Sequence, residues 1–210
     1  MFLKINILLS ITFLLLQLPA SGNNGCGIII SENTISHTSP SGKSKSNTIT
    51  WNKYRKLKIT DFQARRSRSN KNTAATTASA FGFNITDKNG QITGNIFVKF
   101  YKEDSWWNPE NENSRRKQII LKHEQLHFDI CELFGRKLYR EILKLKSKNH
   151  LNSRSLDRLH KRLEKEYHHY QDLYDKETDH SLNAEAQKKW NSKVDKELRS
   201  LDKYSNYHSF

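Results

Sequence analysis

Apolar and polar positions follow three different rhythms along this chain of 210 residues. The first is nearly continuous: Ile7 to Leu18 is apolar apart from Ser10, Thr12 and Gln17. Lys4 precedes this run and Pro19-Ala20-Ser21-Gly22 follows it. Residues 1–22 therefore read as a cleaved export signal and not as a membrane span. Residues 23–49, rich in Ser, Asn, Thr and Gly, predict a flexible N-terminal segment. The second rhythm is that of strands. Ile49-Thr50-Trp51 and Leu57-Lys58-Ile59-Thr60 suggest short strands or turns. Residues 74–85 and 91–101 predict an antiparallel hairpin around the turn signal Asp87-Lys88-Asn89-Gly90.

The third rhythm has steps of three and four. Ile119, His123, Leu126, His127, Ile130, Phe134, Leu138, Ile142 and Leu145 share one face of a helix over about residues 113–146. A polar break at residues 149–152 precedes a second helix, 153–178, with Leu156, Leu159, Leu163, Tyr167, Tyr170 and Tyr174 inward. A third, 183–201, carries Gln187, Trp190, Val194, Leu198 and Leu201. The order predicts an α+β fold, a small antiparallel sheet followed by three helices, in a single domain over residues 50–205.

Charge changes this picture little. The net charge of +14 invites a nucleic-acid partner, but the Lys and Arg residues are spread along the chain and no nucleic-acid-binding motif accompanies them. Attraction to an anionic cell-envelope surface is the expected use. No segment after residue 22 reaches transmembrane length, so an exported chain is expected to be periplasmic or secreted. Two cysteines exclude a disulfide scaffold and a cysteine-based zinc site. Cys26 and Cys131 can pair in an oxidising compartment, or Cys131 can be a small buried residue within its helix. Gly22-Asn23-Asn24-Gly25 lacks the apolar residue that a lipid anchor at Cys26 would want three positions upstream.

Chemistry concentrates in His123-Glu124-Gln125-Leu126-His127. Residues four apart project from one side of a helix, so both imidazoles can reach one metal ion. Two ionisable rings on an inward-facing stripe need a reason, and a metal supplies one. Zn2+ suits imidazole, and a catalytic zinc takes three protein ligands and leaves a position for water. Glu124 is then the general base. If the first two helices form an antiparallel hairpin, His123 lies level with about Thr178 and His127 with about Tyr174. That depth offers Asp175, Glu177 and His180 as third ligands. Asp129 can orient a ligand histidine or be a solvated charge. Thr178 can hold Asp175 or Glu124, or merely help to end the helix.

Several motifs in order resemble a bacterial family: Trp51, Leu57-Lys58-Ile59-Thr60-Asp61-Phe62, Ala74-Ala75-Thr76, Ser105-Trp106, His123 to Ile130, Tyr174-Asp175 with Thr178 and His180, and Gln187 with Trp190. This is domain of unknown function 922, described as predicted secreted zinc-dependent proteases, and the resemblance covers about residues 50–200. It implies His180 as a metal ligand, with Asp175 behind it or in its place. The family commonly has Gly where this chain has Ser181, which bears on backbone conformation there. The expectation is thus an exported, zincin-like peptidase acting on peptide or protein substrates. The alternative is a non-enzymatic envelope-binding protein with a structural or vestigial metal site. An edge strand near Ile96–Tyr101 is expected to take an extended peptide by strand addition.

Overall fold

Among the described residues, each of the three α-helices begins where an asparagine side chain turns back onto the backbone. In helix α1 (Ser114–Ser147), Asn113 accepts from the Arg116 N–H. In α2 (Ser153–Thr178), Asn152 accepts from Ser155, and in α3 (Ala184–Ser200), Asn183 accepts from Ala186. Each cap satisfies an otherwise orphan donor and is worth about 1 kcal/mol. Helix α1 stops at Asn149, which is left-handed (φ 54°). There the His150 N–H bonds the Leu145 carbonyl and the Asn149 N–H bonds that of Lys146. This ending satisfies the last carbonyls and sends the chain back as α2.

A computed structural model describes residues 47–65, 74–108, 112–207 and 209–210. The expected export signal, most of the expected flexible N-terminal segment, and Cys26 with any bond to Cys131 lie outside the described residues. Cys131 itself is fully buried in α1. Among the described residues no helix is long and apolar enough to cross a membrane.

Among the described residues five strands precede the α-helices: β1 (Thr48–Thr50), β2 (Ala75–Thr76), β3 (Ser79–Lys88), β4 (Gln91–Tyr101) and β5 (Trp106–Trp107). The fold is α+β, as its sequence order predicts. β1, β4 and β3 form one antiparallel sheet in that spatial order, and β2 pairs with β5 in a second. The β3–β4 hairpin closes through Asn89 and Gly90, both at positive φ, with the Gly90 N–H on the Asp87 carboxylate. Two left-handed residues in a two-residue loop match the twist of the flanking strands. Thr48 and Ile49, the end of the stretch expected to be flexible, belong to β1.

The expected edge at Ile96–Tyr101 is a correction. β4 is the central strand, paired with β3 from Gln91 to Phe100. On its other side β1 pairs with Lys99–Tyr101, Trp51 bonds the Val98 carbonyl, and Phe210 exchanges two backbone bonds with Gly94. Hydrophobic rhythm reports which face of a strand is buried, not which neighbour returns beside it.

Helix α1 lies between the sheet on one side and α2 and α3 on the other. Residues Ile130 to Arg136 are consequently buried all round, not on a single stripe. Gly135 permits this close approach, since a Cβ there would sit 2.4 Å from Val98 Cγ2. Ile120 (3% exposed) takes the inward place expected of Ile119 (36%), because the face buried at that end is set by 120, 123 and 124.

This belt contains a buried ion pair. Arg136 Nε donates to Glu132 (2.7 Å) and Nη1 to the Leu198 carbonyl (2.8 Å), while the Tyr207 hydroxyl also donates to Glu132. Burial pushes the Glu132 carboxyl up to about 7, against the bonds from Tyr207 and Arg136. Arg136→Met is expected to cost about 3–5 kcal/mol at about pH 8, where it leaves a buried carboxylate without its cation. The cost should shrink at about pH 5. There the folded state holds the proton on Glu132 more tightly than the unfolded chain does, the window being from 4.5 to about 7. Urea unfolding at both pH values measures this; an equal loss at both would show that Arg136 does not serve the carboxylate's charge.

Candidate metal centre

The hairpin of α1 and α2 sets His127 against Tyr174, as counting from the turn expects, but it places His123 against Tyr174 too and not against Thr178, which bonds within its own helix. Tyr174 stacks on His123, with ring centroids 4.6 Å apart, and its hydroxyl donates to the His123 carbonyl. One turn along α2 from Gln171, Asp175 points its carboxylate between the two imidazoles. Asp175 Oδ1 is 3.0 Å from His123 Nε2 and 2.9 Å from His127 Nε2, and the two nitrogens are 3.2 Å apart. His123, His127 and Asp175 form the one group of metal-ligating side chains found among the described residues.

The hydrogen bonds behind the rings determine what that triangle can hold. The Gln171 amide nitrogen donates to the His127 carbonyl, which leaves its oxygen facing His127 Nδ1 at 2.6 Å. Gln187 donates to Asn191, and its oxygen faces His123 Nδ1 at 3.1 Å while also accepting from Tyr174. A carbonyl oxygen only accepts, so both rings carry their proton on Nδ1 and turn an Nε2 lone pair inward. Two lone pairs and a carboxylate oxygen then converge, and only a cation reconciles them.

A proton plays that part in the metal-free protein. Burial opposes a charge on His127, but the Asp175 carboxylate overrides it and raises the imidazole to about 9. Asp175 shows the counterpart: burial works against its ionisation, and the two histidines hold it far below the usual carboxylate range. A metal ion would displace that proton.

Glu124 is 5% exposed, and its Oε2 is buried without a hydrogen-bond partner among the described residues. The backbone there is steadied by Thr77, whose hydroxyl donates to the Glu124 carbonyl. An unpartnered buried carboxylate oxygen is costly unless something else occupies its lone pairs.

The other residues singled out by sequence lie apart from the triangle. Glu177 turns to α3 and accepts from Trp190 Nε1 (2.7 Å). Asp129 accepts from Trp51 and Gln125 and tethers the segment after β1 to α1. Thr178 bonds the carbonyls of Tyr174 and Asp175, within its own helix. His180 is beside the site but outside it: its Nδ1 is 3.8 Å from Asp175 Oδ1 and its side chain is 52% exposed. Asp179, His180 and Ser181 all have positive φ (47°, 48° and 76°). For residues with a Cβ this costs about 1–2 kcal/mol each, and the Arg116 guanidinium on the Ser181 carbonyl (2.8 Å) helps to hold the turn. Position 181, at φ 76°, is thus one that favours Gly.

Gln171 was not visible as a site residue, although it lies four before Asp175, the spacing that places it against the same helix face. Gln187 was visible only through the resemblance.

A family model described as bacterial protein of unknown function (DUF922) matches residues 105–181. Over that segment the chain is similar to the DUF922 family. The matched segment contains both motif histidines, Glu124, Gln171, Asp175 and His180, and it ends before α3 supplies Gln187. No curated protein and no solved structure matches the chain.

Proposed function

We propose that this chain is an exported, zincin-like zinc peptidase that hydrolyses peptide bonds in peptide or protein substrates. The observation that carries the reading is the convergence of His123 Nε2, His127 Nε2 and Asp175 Oδ1 beside the unpartnered Glu124. Two imidazoles and a carboxylate suit zinc, with the remaining coordination left to water or substrate. The same donors suit Fe(II), but a carboxylate between the two histidines on one helix favours hydrolysis. Zinc, when bound, polarises a carbonyl and acidifies water to near neutral pH.

The protein's own part is to position and to move protons. Gln171 and Gln187 keep the imidazole protons on Nδ1, and Tyr174 packs against both rings. Asp175 supplies the negative charge of the donor set. Glu124 accepts the proton of the attacking water and passes it to the departing amine. His180, outside the triangle, leaves the coordination open.

A second reading draws on burial. His123 is 3% exposed and Glu124 5%, which favours a structural metal in an envelope-binding protein. Metal analysis with hydrolysis of an unstructured protein such as casein separates the two. The purified chain is expected to hold about one zinc per molecule, to lose hydrolysis on chelation and to regain it with added zinc. Absence of any bound transition metal would sink both readings; bound zinc without hydrolysis would leave the structural one.

A further inference from the structure

The end of the α1–α2 hairpin away from the metal centre has a chemistry of its own. Leu145 lies 18 residues beyond His127 on the same helix, so about 27 Å separates the two regions. Here a cleft of about 380 Å³ opens between the helices, lined by Lys144, Leu145 and Lys148 of the α1 end and by Arg158, Leu159 and Arg162 of α2. Its one acid, Glu141, is spoken for: Arg140 and Lys144 both donate to it at 2.8–2.9 Å. Burial works against its ionisation, but those bonds prevail and lower its pKa.

The surrounding surface continues this bias. Residues 140–162 hold eight Lys and Arg against two acids, Glu141 and Asp157. Lys146, Lys148, Arg154 and Arg158 are exposed and make no ion pair among the described residues.

We propose that this cleft binds the phosphate headgroup of an anionic lipid and so docks the hairpin end on a membrane surface. Charge complementarity selects an anion, and the apolar floor selects an amphiphile. Leu145 and Leu159 line the same cleft as the cations, matching a ligand whose charged head adjoins apolar carbon. A nucleic acid would present phosphates without that apolar part, and no aromatic side chain lines the cleft to stack a base. The docked chain would keep its metal centre at the other end of the hairpin, turned away from the lipid. The inference does not depend on that centre being catalytic.

The test is co-sedimentation of the full chain with vesicles of phosphatidylglycerol and phosphatidylcholine, against phosphatidylcholine alone. The difference between the two removes any contribution of the apolar residues 7–18. The wild-type chain should prefer the anionic vesicles. Lys148→Glu with Arg158→Glu should weaken that binding about tenfold or more. The same charge change on the exposed face of α3, Lys188→Glu with Lys196→Glu, should weaken it less than about threefold. Thermal unfolding checks each variant's fold, and Lys146→Glu with Arg154→Glu, on the adjoining rim, serves if the first pair does not fold. Equal losses from the cleft and α3 pairs would overturn the proposal in favour of diffuse charge. Inorganic phosphate binding as tightly as the vesicles would overturn it in favour of a free-phosphate site. A larger loss on duplex DNA than on vesicles would overturn it in favour of nucleic acid.

Discussion

Asp175→Ala is expected to leave the purified chain without stoichiometric zinc, whereas His180→Ala should retain it. Asp175 is the only anion in the donor triangle and lies within 3.0 Å of both imidazole nitrogens. Residues that merely orient a ligand are worth about ten- to a hundredfold in affinity, so loss of the ligand itself should exceed a hundredfold. His180 presents its ring to Asp175 at 3.8 Å from a half-exposed position, and its removal opens no gap in the triangle. Competition with a chromophoric chelator gives both affinities on one scale. The reverse result, zinc lost with His180→Ala and kept with Asp175→Ala, would vindicate the ligand set implied by the family resemblance over the one drawn from geometry.

Glu124→Gln should keep zinc and reduce hydrolysis by about a hundred- to ten-thousandfold, the usual contribution of a positioned general base. The substitution preserves shape and hydrogen-bonding reach but cannot take up a proton. Because Glu124 lies outside the donor triangle, metal content should stay near wild type. Its buried Oε2 has no partner to lose among the described residues, so the fold should tolerate the amide. Hydrolysis that persists undiminished would remove Glu124 from the chemistry, and with it the main reason for preferring a peptidase to a structural site.

The helices were the legible part of this chain. Their ends are written as Asn113, Asn152 and Asn183 at the starts and Asn149 at one stop, and these cues act within one turn. The depth match of His127 with Tyr174 followed from the same regularity, because the rise per residue is constant and the turn between α1 and α2 is short. What lay across the sheet was not legible. Nothing local to Ile96–Tyr101 says that Thr48–Thr50 returns to its far side. Nor does the histidine motif reveal which carboxylate reaches it. Asp175, Glu177 and His180 are close in sequence, but 100° per residue sends Glu177 to Trp190, and the left-handed turn sends His180 outward. The glutamines that set the imidazole protons come from α2 and α3, and a neutral amide carries no signature of that task.

The donors lie on both arms of the α1–α2 hairpin, and this gives the ion a mechanical meaning. The tight turn at Asn149 shuts one end, and His127 and Asp175 face each other at the other, closing a loop of about 50 residues. A metal there would be a reversible cross-link at the mouth of a clamp. Empty, the arms would part first at Asp175 and the strained turn beyond it; loaded, they would resist both heat and proteolysis.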